Sequence, residues 1–557
     1  MSTRSGAQVL LEVFKAEGVE VLFGYPGGSV IPIFDVLYDH AEPRFILTRH
    51  EQGAGHAADG YARATGKVGV CIATSGPGAT NLVTALATAN FDSAPLVAIT
   101  GQVKTHLIGN DAFQEADITG ISRPITKHNY LVRDVNELGE TLRAAFYIAR
   151  TGRPGPVLVD IPVDVAVAKT DVPLTDKINL PGYRPVLKGN RRQIRRAAEA
   201  INASERPVLY VGGGVVIAGA SEEHRRQAEQ ANIPVTTTLM GLGVFPEDHP
   251  LALKMLGMHG TVYANYAVHE ADLLIAIGAR FDDRITGDVT KFAPGATIIH
   301  VDIDPSSISK NIRVDIPVVG DAKDILTELL ALCEFRERGP WLARIAERKA
   351  KNPLTYKGDG LKPQYVVEQI CEVSGGRAVV CTEVGQNQMW AAQYFTHRYP
   401  RHFISSGGLG TMGFGFPAAI GAQIGRPDAI VVDVAGDGSV QMYIQELATA
   451  VYNKVPVKVC ILNNGYLGMV RQWQELFYKK RYAGTVLHGN PDFVRVAEAY
   501  GARGARVTAK DQVAPTLREA FASPEPWFID FVVEPEENVL PMVPAGEAID
   551  RMIGGMA

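Results

Sequence analysis

The chain has 557 residues, of which 46% are hydrophobic and 21% charged, with a formal net charge of −5. That composition is ordinary for a globular protein, and the length predicts about three domains. The mild acidity argues against a nucleic-acid binder, and no apolar run approaches the ~20 residues of a membrane-spanning helix.

The N-terminal stretch STRSGAQVLLEVFKAEGVEVLFGYPGG reads as an amphipathic helix followed by a strand. It has no cationic leader with an uninterrupted apolar block, so a cytoplasmic location is expected. VGVCIATSGPGATNLVTALATANFDSAPLVAITG (68–101) reads as strand, glycine turn, helix and strand. PVLYVGGGVV (207–216), ADLLIAIGARF (271–281) and TIIHVDIDP (297–305) read as buried strands. AIVVDVAGDG (429–438) and PVKVCILNN (456–464) flank a helical pattern with apolar residues at Met442, Ile444, Leu447, Ala448 and Val451.

Strands alternating with helices predict parallel sheets covered on both faces. Polar, proline-bearing stretches at 167–190 and 336–362 read as connectors. The fold expected is α/β, with three doubly wound parallel-sheet domains over 1–168, 190–336 and 362–557. The five cysteines form no CxxC pair, which predicts reduced and mostly buried thiols.

The segment AGDGSVQMYIQELATAVYNKVPVKVCILNNGY carries the chemistry. In a parallel βαβ unit, Asp437 and Asn464 both fall at C-terminal strand ends, where open α/β sheets bind ligands. One carboxylate and one amide make a poor cage for a bare divalent cation. They suit Mg²⁺ that arrives with phosphate oxygens. Gly436 and Gly438 permit close backbone approach, and a helix starting near Ser439 would aim amides at the same point. Either dipeptide alone is more often an ordinary turn or strand end. Glu51, in ILTRHEQGAGHAADGYARATG (46–66), ends an apolar strand just before a helix. Alone it reads as a helix-N-terminal charge.

The Gly-Asp-Gly to Asn-Asn segment resembles the thiamine-diphosphate motif. RHEQGAGHAADGYAR, GYPGGSVIPIFDVLYD, SGPGATNLVTALATA, DAFQEADI, GARFDDR, GTMGFGFPAAIGAQ, GMVRQWQELFY and NVLPMVPAGEAIDRMI resemble the acetohydroxyacid synthases over nearly the whole chain. The resemblance implies a pyrimidine-binding first domain, a central FAD-binding, Rossmann-like domain and a diphosphate-binding third domain. It implies that Asp437, Asn464 and the Tyr466 carbonyl bind Mg²⁺, and that Glu51 is the acid paired with the cofactor's pyrimidine. Phe113 and Gln114 would face the reaction centre. Arg284 would clamp the second substrate's carboxylate, and Trp473 would favour 2-ketobutyrate. Met412 would support the folded thiamine, with Gly385, Gln386, Asn387, Gly436, Gly438 and Ser439 around the diphosphate. FAD would lie against Arg153, Gly212, Gly213, Gly214, Met258, His259, Gly278, Arg280, Asp302 and Asp321.

The implied reaction joins pyruvate to a second pyruvate or to 2-ketobutyrate with loss of CO₂, in branched-chain amino-acid biosynthesis. The site would lie at a homodimer or homotetramer interface, and a small regulatory subunit is a possible partner. The chain departs from the family pattern at Val163, where Lys is usual, and at Glu383 and Asn387, where Asp and His are usual. An Asn at 387 is expected still to donate to a phosphate. A flavin-linked pyruvate oxidase on the same scaffold and a catalytically silent nucleotide-binding scaffold are the rival readings.

Overall fold

The computed structural model describes residues 3–175 and 178–554. Three six-stranded sheets follow one another along the chain, and every strand pair in them is parallel. The first contains β1 (Val21–Tyr25), β2 (Arg44–Leu47), β3 (Gly69–Ala73), β4 (Leu96–Gln102), β5 (His128–Leu131) and β6 (Pro156–Pro162), in the order β2-β1-β3-β4-β6-β5. The middle sheet contains β7 (Pro207–Val211), β8 (Val235–Thr237), β9 (Ala252–Met255), β10 (Leu273–Ile277), β11 (Thr297–Asp302) and β12 (Ile316–Val319), in the order β9-β8-β7-β10-β11-β12. The third contains β13 (Val379–Thr382), β14 (Phe403–Ser405), β15 (Val431–Gly436), β16 (Lys458–Asn463), β17 (Arg503–Val507) and β18 (Trp527–Val532), in the order β14-β13-β15-β16-β18-β17. The first and third sheets therefore share one topology, in line with the common style of their glycine-rich strand ends.

The apolar runs form strands because parallel sheets are covered on both faces and need apolar side chains on each. Alternate residues of β7 serve opposite cores. Leu209 and Val211 pack with Ile275 and Ile299, whereas Val208 and Tyr210 pack with Leu274 and Phe281. Helix starts are fixed by short polar caps: Asp134 accepts from the Asn136 amide, and Asn190 from the Arg192 amide. All five cysteines are free, and four are buried. Among the described residues no helix is long and apolar enough to cross a membrane.

Two expectations need correction. The 336–362 stretch read as a connector contains the helix Gly339–Lys351, which buries Trp341 and Ile345 in the middle core. Its Arg- and Lys-rich outer face had masked the two apolar anchors. The segment after Asp437 is not one α-helix. It is a seven-residue 3₁₀ stretch, Val440–Glu446, kinked at Tyr443, followed by the short helix Leu447–Tyr452. The tidy apolar stripe breaks because Met442 points outward, 49% exposed, while Tyr443 is pressed against Gly413.

The first and third domains meet through helices Glu51–Thr65 and Gly415–Gly425. Their backbones touch: a Cβ on Gly60 would lie 2.1 Å from the Ala418 carbonyl oxygen, and one on Gly421 would lie 1.8 Å from that of Ala57. Gly421→Val is expected to cost about 1–3 kcal/mol through overpacking, seen as a lowered thermal midpoint. An unchanged midpoint would show that the two helices separate freely.

Candidate active site

Strands β15 and β16 are parallel neighbours, with Gly436 opposite Leu462, so their C-terminal ends bring Asp437 and Asn464 together. Both side chains are buried. Asp437 Oδ2 accepts the Gly465 amide at 3.1 Å and the Asn490 side-chain amide at 2.7 Å. Asn464 donates its Nδ2 to Gln386 Oε1 at 3.2 Å, and its Oδ1 accepts the Tyr466 amide at 3.0 Å. Burial pushes the Asp437 carboxyl up to about 6, against the opposing hydrogen bonds from Asn490 and nearby amides. A divalent cation at this point would oppose the burial effect and favour the charged form. The remaining oxygens are hard donors, as Mg²⁺ requires. Among the described residues no group of three or more His, Cys, Asp or Glu could hold a metal. The residues present thus fit a cation that brings its own phosphate ligands.

Ser439 is tied locally: its hydroxyl accepts the Gly436 amide and donates to the Gly436 carbonyl. Gly385, Gln386, Met412, Gly436 and Gly438 line the same cavity as Asp437 and Asn464. Asn387 also lines it, but not as expected. Both protons of its amide are committed to carbonyls, those of Glu383 at 2.9 Å and Val434 at 2.8 Å. Turning the amide round would set its oxygen against two carbonyls. Asn387 therefore presents an acceptor, not a donor, to any phosphate. Glu383 is buried behind this wall. Its carboxylate accepts the Gly413 amide at 2.6 Å and the Phe416 amide at 3.0 Å, anchoring the loop that carries Met412. Burial raises the Glu383 carboxyl to about 7.

The cavity is continuous, about 920 Å³, and lined by all three domains. At that size it lies near the upper end of small-molecule sites. Trp473 lines it, as does Arg284, whose backbone carbonyl accepts the Met258 amide at 2.7 Å. Among the described residues Arg284 pairs loosely with Asp283, at 3.9 Å, and its side chain is 56% exposed. Such an ion pair holds the guanidinium weakly. The part of the wall that the middle domain builds with Arg153 of the first domain, termed the second lobe below, comprises Gly212, Gly213, Gly214, Met258, His259, Gly278, Arg280, Asp302 and Asp321. Arg153 bridges domains, donating to Ser93 at 2.8 Å and pairing with Asp304 at 3.5 Å. Arg280 pairs with Asp282. His259 is buried and held neutral, its pKa lowered to about 4. Asp321 caps the helix Ala322–Leu330. Gly214 and Gly278 have an additional structural reason: a Cβ on either would lie 2.6 Å from the other's Cα.

Glu51, Phe113 and Gln114 do not line this cavity. They gather at the C-terminal edge of the first sheet instead. Glu51 Oε2 accepts the Asn81 side-chain amide at 3.0 Å, and a Cβ on Gly78 would lie 3.2 Å from Oε1. Gln114 has φ 58°, and its backbone lies 2.7 Å from where a Cβ on Gly76 would be. Phe113 is 88% exposed. The chain thus places Glu51 and Asp437 in two separate clusters, of which only the second lines the cavity. Sequence reasoning missed Asn81, Asn490 and Glu446. Asn81 lies inside the SGPGATN match, whereas Asn490 sits in an irregular loop with no periodic signal.

Three family models match in chain order. Residues 4–121 match the thiamine pyrophosphate enzyme N-terminal TPP binding domain, 194–329 the central domain, and 383–531 the C-terminal TPP binding domain. Together with the three sheets and the Asp437–Asn464 pair, these define a thiamine pyrophosphate enzyme. The chain is 53% identical over 562 residues to the probable acetolactate synthase large subunit of Methanocaldococcus jannaschii, covering 98% of this chain and 95% of that one. It is 51% identical over 557 residues to the acetolactate synthase large subunit of Corynebacterium glutamicum, with 98% and 89% covered. It is 47% identical over 566 residues to that of Haemophilus influenzae, with 99% and 98% covered. The chain belongs to the acetolactate synthase large-subunit family.

Proposed function

We propose that this chain is the catalytic subunit of an acetohydroxyacid synthase, which joins pyruvate to a second pyruvate or to 2-ketobutyrate with release of one CO₂. The observation that carries this reading is the shared cavity, in which the Asp437–Asn464 pair opens onto the loosely held Arg284 and onto Trp473. Asp437, Asn464 and the Tyr466 carbonyl would hold Mg²⁺ and, through it, the diphosphate. When bound, thiamine diphosphate supplies the electron sink for decarboxylation. Arg284 forks onto the acceptor's carboxylate and orients its keto group. Trp473 packs against the acceptor's alkyl end. Glu51 holds a proton at the pyrimidine ring.

The separation of the Glu51 and Asp437 clusters supports a homodimer or larger even assembly, in which each Glu51 serves another copy's cofactor. The exposed Phe113 supports the same arrangement, since a large apolar ring in water signals a surface that a partner covers. The second lobe's glycine turn and strand-end carboxylates support FAD, with Asp302 and Asp321 suited to ribose hydroxyls. The large-subunit relatives support a smaller regulatory partner in the cytoplasm. With pyruvate, thiamine diphosphate, Mg²⁺ and FAD, the protein is expected to form one acetolactate per CO₂ without consuming oxygen. Acetate formed with loss of oxygen would contradict the reading. Arg284→Lys is expected to lower kcat/KM for the acceptor by about 10-fold or more, because a lysine cannot make the bidentate contact. Unchanged acceptor kinetics would remove Arg284 from this role.

A further inference from the structure

Glu446 is a buried carboxylate that the reaction scheme does not use. It lies 0% exposed at the end of the kinked 3₁₀ stretch that begins just after Asp437. Its contacts lie largely in the other domain. Oε1 accepts the backbone amide of Arg49 at 2.9 Å, in the turn between β2 and the helix that starts at Glu51. Oε2 accepts the Thr449 hydroxyl at 2.6 Å, and that hydroxyl also reaches the Leu47 carbonyl, at 3.3 Å. A Cβ on Gly53 would lie 2.6 Å from Oε1, so the first turn of the Glu51 helix is pressed onto this carboxylate. Tyr443 adds edge-to-face contacts to His50 at 5.8 Å and to His56 at 6.1 Å. Glu446 does not line the cofactor cavity.

Neutral burial would favour an apolar residue here. A fully buried carboxylate is kept only where its hydrogen bonds compensate, and these bonds grip residues 47–53 from both ends. The third domain thus holds the strand end, turn and helix start that aim Glu51. Burial raises the Glu446 carboxyl to about 7, so a neutral amide is a fair mimic of its protonated form.

We propose that Glu446 is a positioning residue for the known reaction: by clasping the Arg49–Gly53 turn from the third domain, it fixes Glu51 in its proton-transfer geometry. This rests on the Glu51 role given above. A displacement of about 1 Å in an acid–base group can cost about 10²-fold in rate, so the clasp acts on kcat and leaves KM for ketoacids nearly unchanged. The isosteric Glu446→Gln keeps the contacts. Its Oε1 accepts from Arg49, and its amide donates to Thr449, whose hydroxyl turns fully to Leu47.

The test is hydrogen–deuterium exchange on the full-length, ligand-free protein, paired with turnover of the loaded enzyme. In E446A, amides of residues 48–53 are expected to exchange at least about 10-fold faster, with β15 and β16 unchanged. E446Q is expected to keep native protection and most of the turnover. The kcat of E446A is expected to fall by about 10²-fold, and E51Q combined with E446A is expected to be no worse than E51Q alone, because both changes remove one function. Native protection at 48–53 in E446A, or losses that multiply in the double variant, overturn the proposal. If E446A does not fold, E446D retracts the carboxylate by one methylene and is read by the same two measurements. E51Q alone separates the two ideas. Near-normal turnover in E51Q overturns the Glu51 role, while the exchange data still decide whether Glu446 clasps the turn.

Discussion

Glu51→Gln is expected to lower turnover by about 10²–10⁴-fold while leaving thiamine diphosphate, Mg²⁺ and FAD bound. The size follows from the role. In the proposed role a carboxyl at the pyrimidine ring gives and takes a proton, and an amide of the same shape cannot. Binding should survive because Glu51 does not line the cavity that holds Asp437 and the second lobe. The local fold should survive as well. The Asn81 amide that donates to Glu51 at 3.0 Å can donate equally to the oxygen of a glutamine. Equilibrium binding of the cofactor and single-turnover kinetics on the same preparation check both halves. Loss of cofactor together with loss of rate would mean that Glu51 anchors rather than activates.

Asp437→Ala is expected to abolish retention of thiamine diphosphate with Mg²⁺ under conditions that saturate the native protein. Asp437 is the carboxylate at the proposed cation position, and among the described residues no cluster of acids stands by to replace it. Removing it also strands two donors, the Gly465 amide and the Asn490 side chain. A stranded buried donor costs about 1–3 kcal/mol, so the turn itself should loosen. Isothermal titration with thiamine diphosphate at fixed Mg²⁺ reads the affinity. FAD binding should persist, since the second lobe is built by the first and middle domains. Retained cofactor affinity would move the metal elsewhere.

Much of this architecture is legible in the sequence. The short, continuous apolar runs predicted β7, β10, β11, β15 and β16, because a strand buried on both faces has no room for polar alternation. Asp437 and Asn464 were legible for the same reason: both follow such runs, and parallel neighbours bring their ends together. What lay outside reach depends on contacts across domains. Glu446 sits among apolar positions in a helix-like pattern, and periodicity assigns it no partner; its partner, Arg49, is 397 positions away. The kink at Tyr443 was hidden because it comes from packing against Gly413 rather than from local propensity. The reversed role of Asn387 was hidden too. Residue type says that an amide can donate, but only the positions of the Glu383 and Val434 carbonyls decide where its protons go. The helix Gly339–Lys351 is not legible because two apolar anchors among many charges look like a polar connector.

Subunit complementation tests most directly whether the active site divides between Glu51 of one copy and Asp437 of another. E51Q and D437A chains would be purified separately, shown to be inactive, then mixed under conditions that exchange subunits. If each site takes Glu51 from one copy and Asp437 from the other, a mixed dimer contains one intact site. Random pairing should then restore about a quarter of native acetolactate formation. No recovery, in mixtures shown by mass to contain mixed dimers, would mean that each chain completes its own site and would contradict the account.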